Sequence, residues 1–542
     1  MESQRGTGGA EGTYDYIVIG AGSAGCVVTY RLAQAGHSVL VLEAGGDDSK
    51  VDEIHIPAAF PNLFKTTHDW NYETVEQKHA LGRRMYWPRG KVLGGSSSIN
   101  AQLYIRGNRL DYDTWRDRLG CAGWGYADLL PYFLRAEDNS RGASEFHGVG
   151  GPLRVEDARF THELSAAFVE SAVAYGIKRN EDFNGAEQDG AGLFQVTQKR
   201  GRRWSAADAY LRPAMAAGGV TVEIDALVTR IVIEDGRAVG VEWTASGAPH
   251  SARVDAEVVV SGGAVNSPQL LMLSGVGPAP HLRELGIDVL ADLPGVGENL
   301  QDHYAAPAVW LTHGTTSLHD HENIASLLRW QAFRNGPLAS TVAEACAFVR
   351  SRDDLPAPDL QYHVAPAAFV DHGLGEPPGP GFTMAPVLVS TASTGRIRLR
   401  SADPRWSPEI DAGYLSADED LEALVAGVRM AREVARLGPL PQWLASEFLP
   451  GEGATSADAI GDSTRTYGQT LYHPTSTCAM GVSDASVVDL ECRVRGVDGL
   501  RVVDASIMPT VPRGNTNAPT IAIAERAADL ILGNPPLAPT RL

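Results

Sequence analysis

Apolar residues first gather at Tyr14–Gly20 (YDYIVIG), a short Ile/Val/Tyr run that predicts a buried strand. After a glycine-rich turn, Ala24, Val28 and Leu32 recur at helical spacing with Val27 on the same side, and Gly36 ends the predicted helix. Ser38–Glu43 (SVLVLE) predicts a second strand that finishes on an acid. Residues 221–233 (TVEIDALVTRIVI) and 253–261 (RVDAEVVVS) read as strands returning to the same unit. Near the far end, Ile521, Ala524, Ala528 and Ile531 mark one apolar helix face, with Pro519 in the first turn and Gly533 as the stop.

The turn between the first strand and its helix is Gly20-Ala21-Gly22-Ser23-Ala24-Gly25. Strand, glycine turn, helix, strand and terminal acid together make the pattern of a dinucleotide fold. Gly20 permits the tight turn, Gly22 lets the backbone approach a pyrophosphate, and Gly25 lets the helix pack close to the strand. The helix N-terminus, with Ser23, offers free N–H groups to phosphates. Glu43 is placed to accept hydrogen bonds from a ribose. The pattern alone fits either NAD or FAD.

Length and composition narrow the class. A chain of 542 residues exceeds one ordinary core, so two or three units of about 100–200 residues are expected. The formal net charge of -20 argues against nucleic acid, which needs a basic face. No apolar run reaches the ~18–20 residues of a membrane span. Met1–Gly12 is small, polar and glycine-rich, without a signal peptide's apolar core, so a frayed N-terminus and a cytoplasmic location are expected. Cys26, Cys121, Cys346, Cys478 and Cys492 are scattered and odd in number, which suits neither a disulfide framework nor a metal site.

Gly90–Asn100 (GKVLGGSSSIN) offers close backbone approach and several hydroxyls. This stretch resembles the first signature of the glucose-methanol-choline (GMC) oxidoreductases, and Gly263–Gly277 (GAVNSPQLLMLSGVG) resembles the second. Leu293–His303 (LPGVGENLQDH), Tyr472–Gly481 (YHPTSTCAMG) and 500–531 (LRVVDASIMPTVPRGNTNAPTIAIAERAADLI) are similar to further family segments in the same order. The resemblance leans towards the choline dehydrogenase and bacterial alcohol dehydrogenase branch. It implies FAD rather than NAD. It also implies an α/β Rossmann-like, three-layer FAD domain with an α+β substrate domain whose antiparallel sheet roofs the flavin. Residues 14–158, 199–303 and 466–534 would form the first, and 159–198 with 304–465 the second. Val92, Gly94, Gly95, Asn100, Val228 (at the adenine), Asp504, Ala505 and Thr516 would join the glycine turn in holding FAD. The family position that carries a covalent His in some members falls on Ile99, which has no nucleophile, so dissociable FAD is expected.

Alcohol oxidation by a flavin needs a base for the hydroxyl proton and a hydride path to flavin N5, and His is the usual base. Of the 15 His, His473 is followed by Pro474, which restricts its backbone, and it sits at the family's catalytic position. The second active-site position, His or Asn in the family, is assigned to Asn517, an amide that can hold the substrate oxygen but not serve as base. The last helix, starting there, would favour negative charge on the ring through its dipole. His303 is read as structural, Cys478 as unneeded, and Trp70, Tyr72, Tyr86 and Trp87 as a lid cluster over FAD. In choline-oxidising relatives an acid follows the LQDH-like segment, but Tyr304–His313 (YAAPAVWLTH) has none. The expectation is oxidation of a neutral aliphatic or aryl primary alcohol to the aldehyde, with oxygen, a quinone or a carrier as acceptor. Alternatives are choline oxidation, a lyase or photodecarboxylase on the same fold, or a non-enzymatic flavin protein; His473 speaks against the photodecarboxylase.

Overall fold

The computed structural model describes residues 12–541 except 316, 322 and 377. Of the stretch expected to fray, Met1–Gly12, all but Gly12 lie outside the described residues. The first apolar run forms the strand Thr13–Ile19 inside a seven-stranded sheet. Val39–Leu42 pairs parallel on one side and Ala248–Val260 on the other. Val220–Glu223 extends the parallel set beyond Val39–Leu42, and Leu500–Val502 pairs with Val258–Val260. The strands are fully buried at Ile17, Val18 and Val39–Val41, as expected for a sheet covered on both faces. Helix Ser23–Gln34 crosses between the first two strands and buries Ala24, Val27, Val28 and Leu32, while Gly36 supplies a φ of 88° just past its end.

One strand expectation needs correction. Residues 221–233 are not continuous. The strand breaks after Val220–Glu223, and Ala226–Glu234 runs to the opposite edge, antiparallel to Arg237–Ala245. The break is held at Asp225 (φ 53°), where Asp225 N donates to Gly45 O and Ala226 N to Glu43 O, both at 2.9 Å. The last helix, Asn517–Ile531, buries the expected face at Ile521, Ala524, Ala528 and Ile531 and its other sides as well. Glu525, Arg526 and Asp529 are buried with its apolar residues. Glu525 accepts two hydrogen bonds of 2.8 Å from Arg31, and Asp529 accepts Arg135 Nη1 at 2.8 Å, so both carboxylates are paired inside the protein.

The second sheet has eight strands, and every pairing in it is antiparallel. Its core is Val309–Thr312, Gly381–Leu388, Leu360–Ala365, Ala345–Val349 and Gly190–Leu193. Alternation along Leu360–Ala365 divides its faces. Tyr362 donates its hydroxyl to Gly427 O on helix Asp418–Ala435 at 2.5 Å, whereas His363 and Ala365 face a central cavity. Gln469–Thr470, assigned from sequence to the FAD unit, instead pairs with Tyr304–Ala305 at the rim of this sheet. All five cysteines are buried and free. Among the described residues, no helix is long and apolar enough to cross a membrane.

Candidate active site

A cavity of about 530 Å³ lies between the two sheets and reaches from Glu43 and Val228 to His473. Its nucleotide end is made by backbone. Gly20 has φ 99°, and a Cβ there would lie 2.5 Å from Ser261 O. A Cβ on Gly25 would lie 1.9 Å from Gly20 O, so helix and strand touch as the glycine requires. The Gly94–Gly95 loop docks on the same turn: Gly94 N donates to Ala21 O at 2.8 Å, and a Cβ on Gly95 would come within 2.7 Å of Gly22 Cα. Gly20, Gly22, Ser23, Glu43, Gly95, Asn100, Val228, Asp504, Ala505, Thr516 and Asn517 all line the cavity, while Gly25, Val92 and Gly94 stand behind the lining.

Glu43 accepts Ala21 N at 2.9 Å on one carboxylate oxygen and Gly45 N at 2.8 Å on the other. Burial pushes its pKa up to about 7 against the pull of those N–H groups. Asp504 accepts Gly263 N at 2.8 Å and Ser267 Oγ at 2.5 Å, so it caps helix Gly263–Leu273. Helices Ser23–Gln34 and Asn517–Ile531 begin at the cavity without a side-chain cap or an acid in the first turn.

The catalytic end is made by side chains. His473 is 8% exposed. Its Nε2 faces Asn515 Nδ2 at 3.2 Å, and its Nδ1 faces His303 Nδ1 at 2.9 Å. Asn515 Oδ1 accepts Gln361 Nε2 at 3.3 Å, which turns the amide nitrogen towards His473. That network assigns the lone pair of His473 to Nε2 and its proton to Nδ1, donated to His303. Burial, then His303, His363 and Arg89, hold the His473 pKa well below its ordinary value, so the ring is neutral. Its backbone N–H donates to Asp302 Oδ1 at 2.7 Å. Asp302 also accepts Thr470 Oγ1 at 2.5 Å and the Tyr414 hydroxyl, and burial raises it to about 6.

The amide beside His473 is that of Asn515, while Asn517, two residues on, lines the same cavity. Asn517 starts the last helix and accepts Ser23 Oγ at 2.6 Å, tying the two uncapped helix starts together. Asn515 precedes the helix, after Gly514 with φ 132°, and that turn selects which amide reaches the histidine. His303, read as structural, touches the candidate base directly. Asp302 and Gln361 were missed: nothing in their local sequence announces partners in distant segments. Cys478 is buried, its thiol pushed up by burial, and it is not in the cavity wall. Trp70 and Tyr72 stack at 5.7 Å and do line the cavity, while Tyr86 and Trp87 pair with Glu73 and Tyr72 across a short hairpin behind them.

Phe60, Phe64, Ile99, Val342, Ala365 and Phe369 complete the wall near His473. The carboxylates in the whole lining are Glu43 and Asp504, both at the nucleotide end, and Ala305 lines the cavity two positions after His303.

Residues 14–305 match the N-terminal and residues 391–524 the C-terminal sequence profile of the GMC oxidoreductases. The chain belongs to the GMC oxidoreductase family. Among GMC proteins it is 43% identical to the mitochondrial choline dehydrogenase of Homo sapiens over 538 residues, 97% of this chain and 90% of that one. It is likewise 43% identical to the oxygen-dependent choline dehydrogenase of Rhizobium etli over 534 residues, covering 97% and 96%. The pyridoxine 4-oxidase from Mesorbium loti superposes with a TM-score of 0.87 at 30% identity, covering 95% of this chain and 98% of that chain. A formate oxidase from Aspergillus oryzae gives 0.91 at 27%, covering 96% and 98%. The GMC cofactor is FAD, and the enzyme is an FAD-dependent oxidoreductase acting on alcohols. The residues fit that group: two uncapped helix N-termini leave N–H groups aimed into the cavity, and glycines stand where side chains would meet backbone.

Proposed function

We propose that this enzyme oxidises a neutral primary alcohol, aliphatic or aryl, to its aldehyde, with His473 as base and Asn515 holding the substrate oxygen. The observation that carries this reading is the His473–Asn515 pair at a cavity end walled by Phe60, Phe64, Ile99, Val342 and Phe369, with Arg89 as a charged neighbour and no carboxylate in the lining. When bound, FAD supplies the two-electron acceptor for the hydride of the carbinol carbon. Glu43 would hold the ribose, Gly22 and Ser23 the pyrophosphate, Val228 the adenine, and Thr516 and Asn517 the ring edge. His473 Nε2, unprotonated at neutral pH, takes the hydroxyl proton. Asn515 Nδ2 donates to the substrate oxygen as negative charge builds there. His303 keeps the Nδ1 proton of His473 engaged, so the ring presents the same nitrogen each cycle. Phe60, Phe64 and Phe369 exclude water from the reacting carbon.

Ile99 lies in the wall, 3% exposed, and carries nothing that could bond to the ring, which supports non-covalent FAD. Acid precipitation should leave the yellow colour in the supernatant; a coloured pellet would reverse this. Choline is the second reading. Relatives named choline dehydrogenases share 43% of positions, and the Phe64 and Tyr472 rings, 5.8 Å apart, offer faces to a quaternary ammonium. An anaerobic alcohol panel read at the flavin absorbance separates them. Faster bleaching by neutral alcohols than by choline supports the first reading, the reverse order installs the second, and no bleaching by any alcohol removes both.

A further inference from the structure

Of the charged side chains in the cavity wall, Glu43 and Asp504 stand at the nucleotide end, Lys91 acts on Glu43, and Arg405 is paired with Asp403 at 2.6 Å. The remaining one is Arg89. Its Nε donates to Pro88 O and its Nη2 to Tyr472 O, both at 2.6 Å, and its Nη1 has no partner among the described residues. No carboxylate among the described residues forms an ion pair with it. Two acids act on it from behind the wall, Asp302 and Asp69. Asp302 is engaged by His473 N, Thr470 and Tyr414, and Asp69 by Lys65 N at 3.1 Å, Arg89 N at 2.9 Å and the Tyr86 hydroxyl.

Position is the second observation. The residue after Arg89 is pressed onto the Gly95–Ser96 loop: a Cβ on Gly90 would lie 2.2 Å from Gly95 C, and Gly90 N donates to Ser96 Oγ at 3.1 Å. That loop meets Gly22 at the pyrophosphate turn, whereas the Arg89 guanidinium holds the residue before His473. With FAD placed as proposed above, its ring lies between these two points, and Arg89 runs between the same two. A second cation stands behind the wall. Arg203, 0% exposed, donates to Ile54 O at 2.7 Å, Ser97 O at 3.1 Å and Asn100 Oδ1 at 2.8 Å, and its Nη2 has no partner. Asn100 lines the cavity, so this charge sits one residue back from it. A buried guanidinium without an acid costs free energy unless some other anion answers it.

Alcohol oxidation produces such an anion. The carbinol carbon gives the ring a hydride, two electrons and one proton, while the hydroxyl proton goes to His473. The ring thereby gains one negative charge. We propose that Arg89, backed by Arg203, is the counter-charge for the reduced flavin and so sets its redox potential. Charge beside a flavin tunes its electronics, and a cation there favours the charged reduced form over the neutral oxidised one. Loss of that cation therefore moves the potential downward.

The test is the midpoint potential of the FAD-loaded full chain, read at the flavin absorbance in equilibrium with a dye of known potential. Arg89→Met should lower it, so that at the wild-type midpoint the ratio of reduced to oxidised flavin falls about tenfold. Arg89→Lys keeps the charge and should stay within about threefold of the wild-type ratio. Arg203→Met, one layer further out, should fall in the same direction by less. Arg89→Gln keeps an N–H for Tyr472 O without the charge, and it should fall as Arg89→Met does; it also serves if Arg89→Met does not retain FAD. A wild-type ratio in Arg89→Met or Arg89→Gln, or an Arg89→Lys that falls as far as they do, makes Arg89 a brace for Tyr472 alone and overturns the proposal. No alcohol enters the measurement, so its outcome is separate from that of the substrate reading.

Discussion

The two ends of the cavity are built by opposite means. At the nucleotide end the chain clears space: Gly20, Gly25 and Gly95 let backbone meet backbone, each where a Cβ would come within 2.7 Å of a main-chain atom. At the catalytic end the chain fills space, with Asp302, His303, Gln361, His473 and Asn515 converging from four separate segments. The first end tolerates no Cβ at Gly20, Gly25 or Gly95, whereas the second depends on which side chain hydrogen-bonds to which. Damage at the first should therefore remove the holoprotein, and damage at the second should leave it yellow but slow.

The largest expected effect is at Gly25. Gly25→Val places branched carbon against Gly20 O, where even a Cβ would be 1.9 Å away, and the purified protein should contain no FAD by absorbance. A yellow Gly25→Val protein would erase the contrast between the two ends. Next is His473→Ala, which should keep FAD and lower the rate of anaerobic flavin reduction by about 10²–10⁴. A loss under about tenfold would take the base role away from His473. Asn515→Ala should lower kcat/KM for the alcohol by about ten- to a hundredfold, the worth of a hydrogen bond to developing charge. Asn517→Ala should instead weaken FAD retention, measured by the dissociation constant, with the reduction rate little changed. If the two amides trade these effects, the assignment at the helix start is inverted.

The smallest effect is a displacement along the pH axis. Burial is the main cause of the low His473 pKa, and the His303 ring adds to it. The base works only when unprotonated, so kcat/KM falls as pH drops through that pKa, and the acid limb should lie below pH 6.5. His303→Asn relieves part of the depression and should move the limb upward, leaving the high-pH plateau nearly intact. A uniform drop at every pH would mean that His303 only supports the fold.

The same contrast governs what could be read from sequence. The dinucleotide unit was legible because its signals are local: an Ile/Val run, a glycine turn, a helical repeat and a closing acid at Glu43. His473 was legible through Pro474 and the segment around it. Asn515 and Asn517 share one short stretch, and only the backbone turn at Gly514 decides which faces His473. Glu525, Arg526 and Asp529 look like a solvent face until Arg31 and Arg135 arrive from the other end of the chain. The break at Asp225 escaped notice because the residues on both sides of it favour strand, and its cause lies in hydrogen bonds to Glu43 and Gly45.

Leu500–Val502 completes the first sheet beside Val258–Val260, and the helix Asn517–Ile531 locks onto Arg31 through Glu525. On the ribosome, the opening pieces of that unit emerge long before their closing partners are translated. A nascent chain stalled before residue 500 has an unpaired sheet edge where Leu500–Val502 belongs, and it has no final helix to meet Ser23. Cofactor uptake is thereby expected to await residues 500–531. Colour reports that synthesis passed Ile531, and a product interrupted before residue 500 should stay colourless with an open edge for proteases to find.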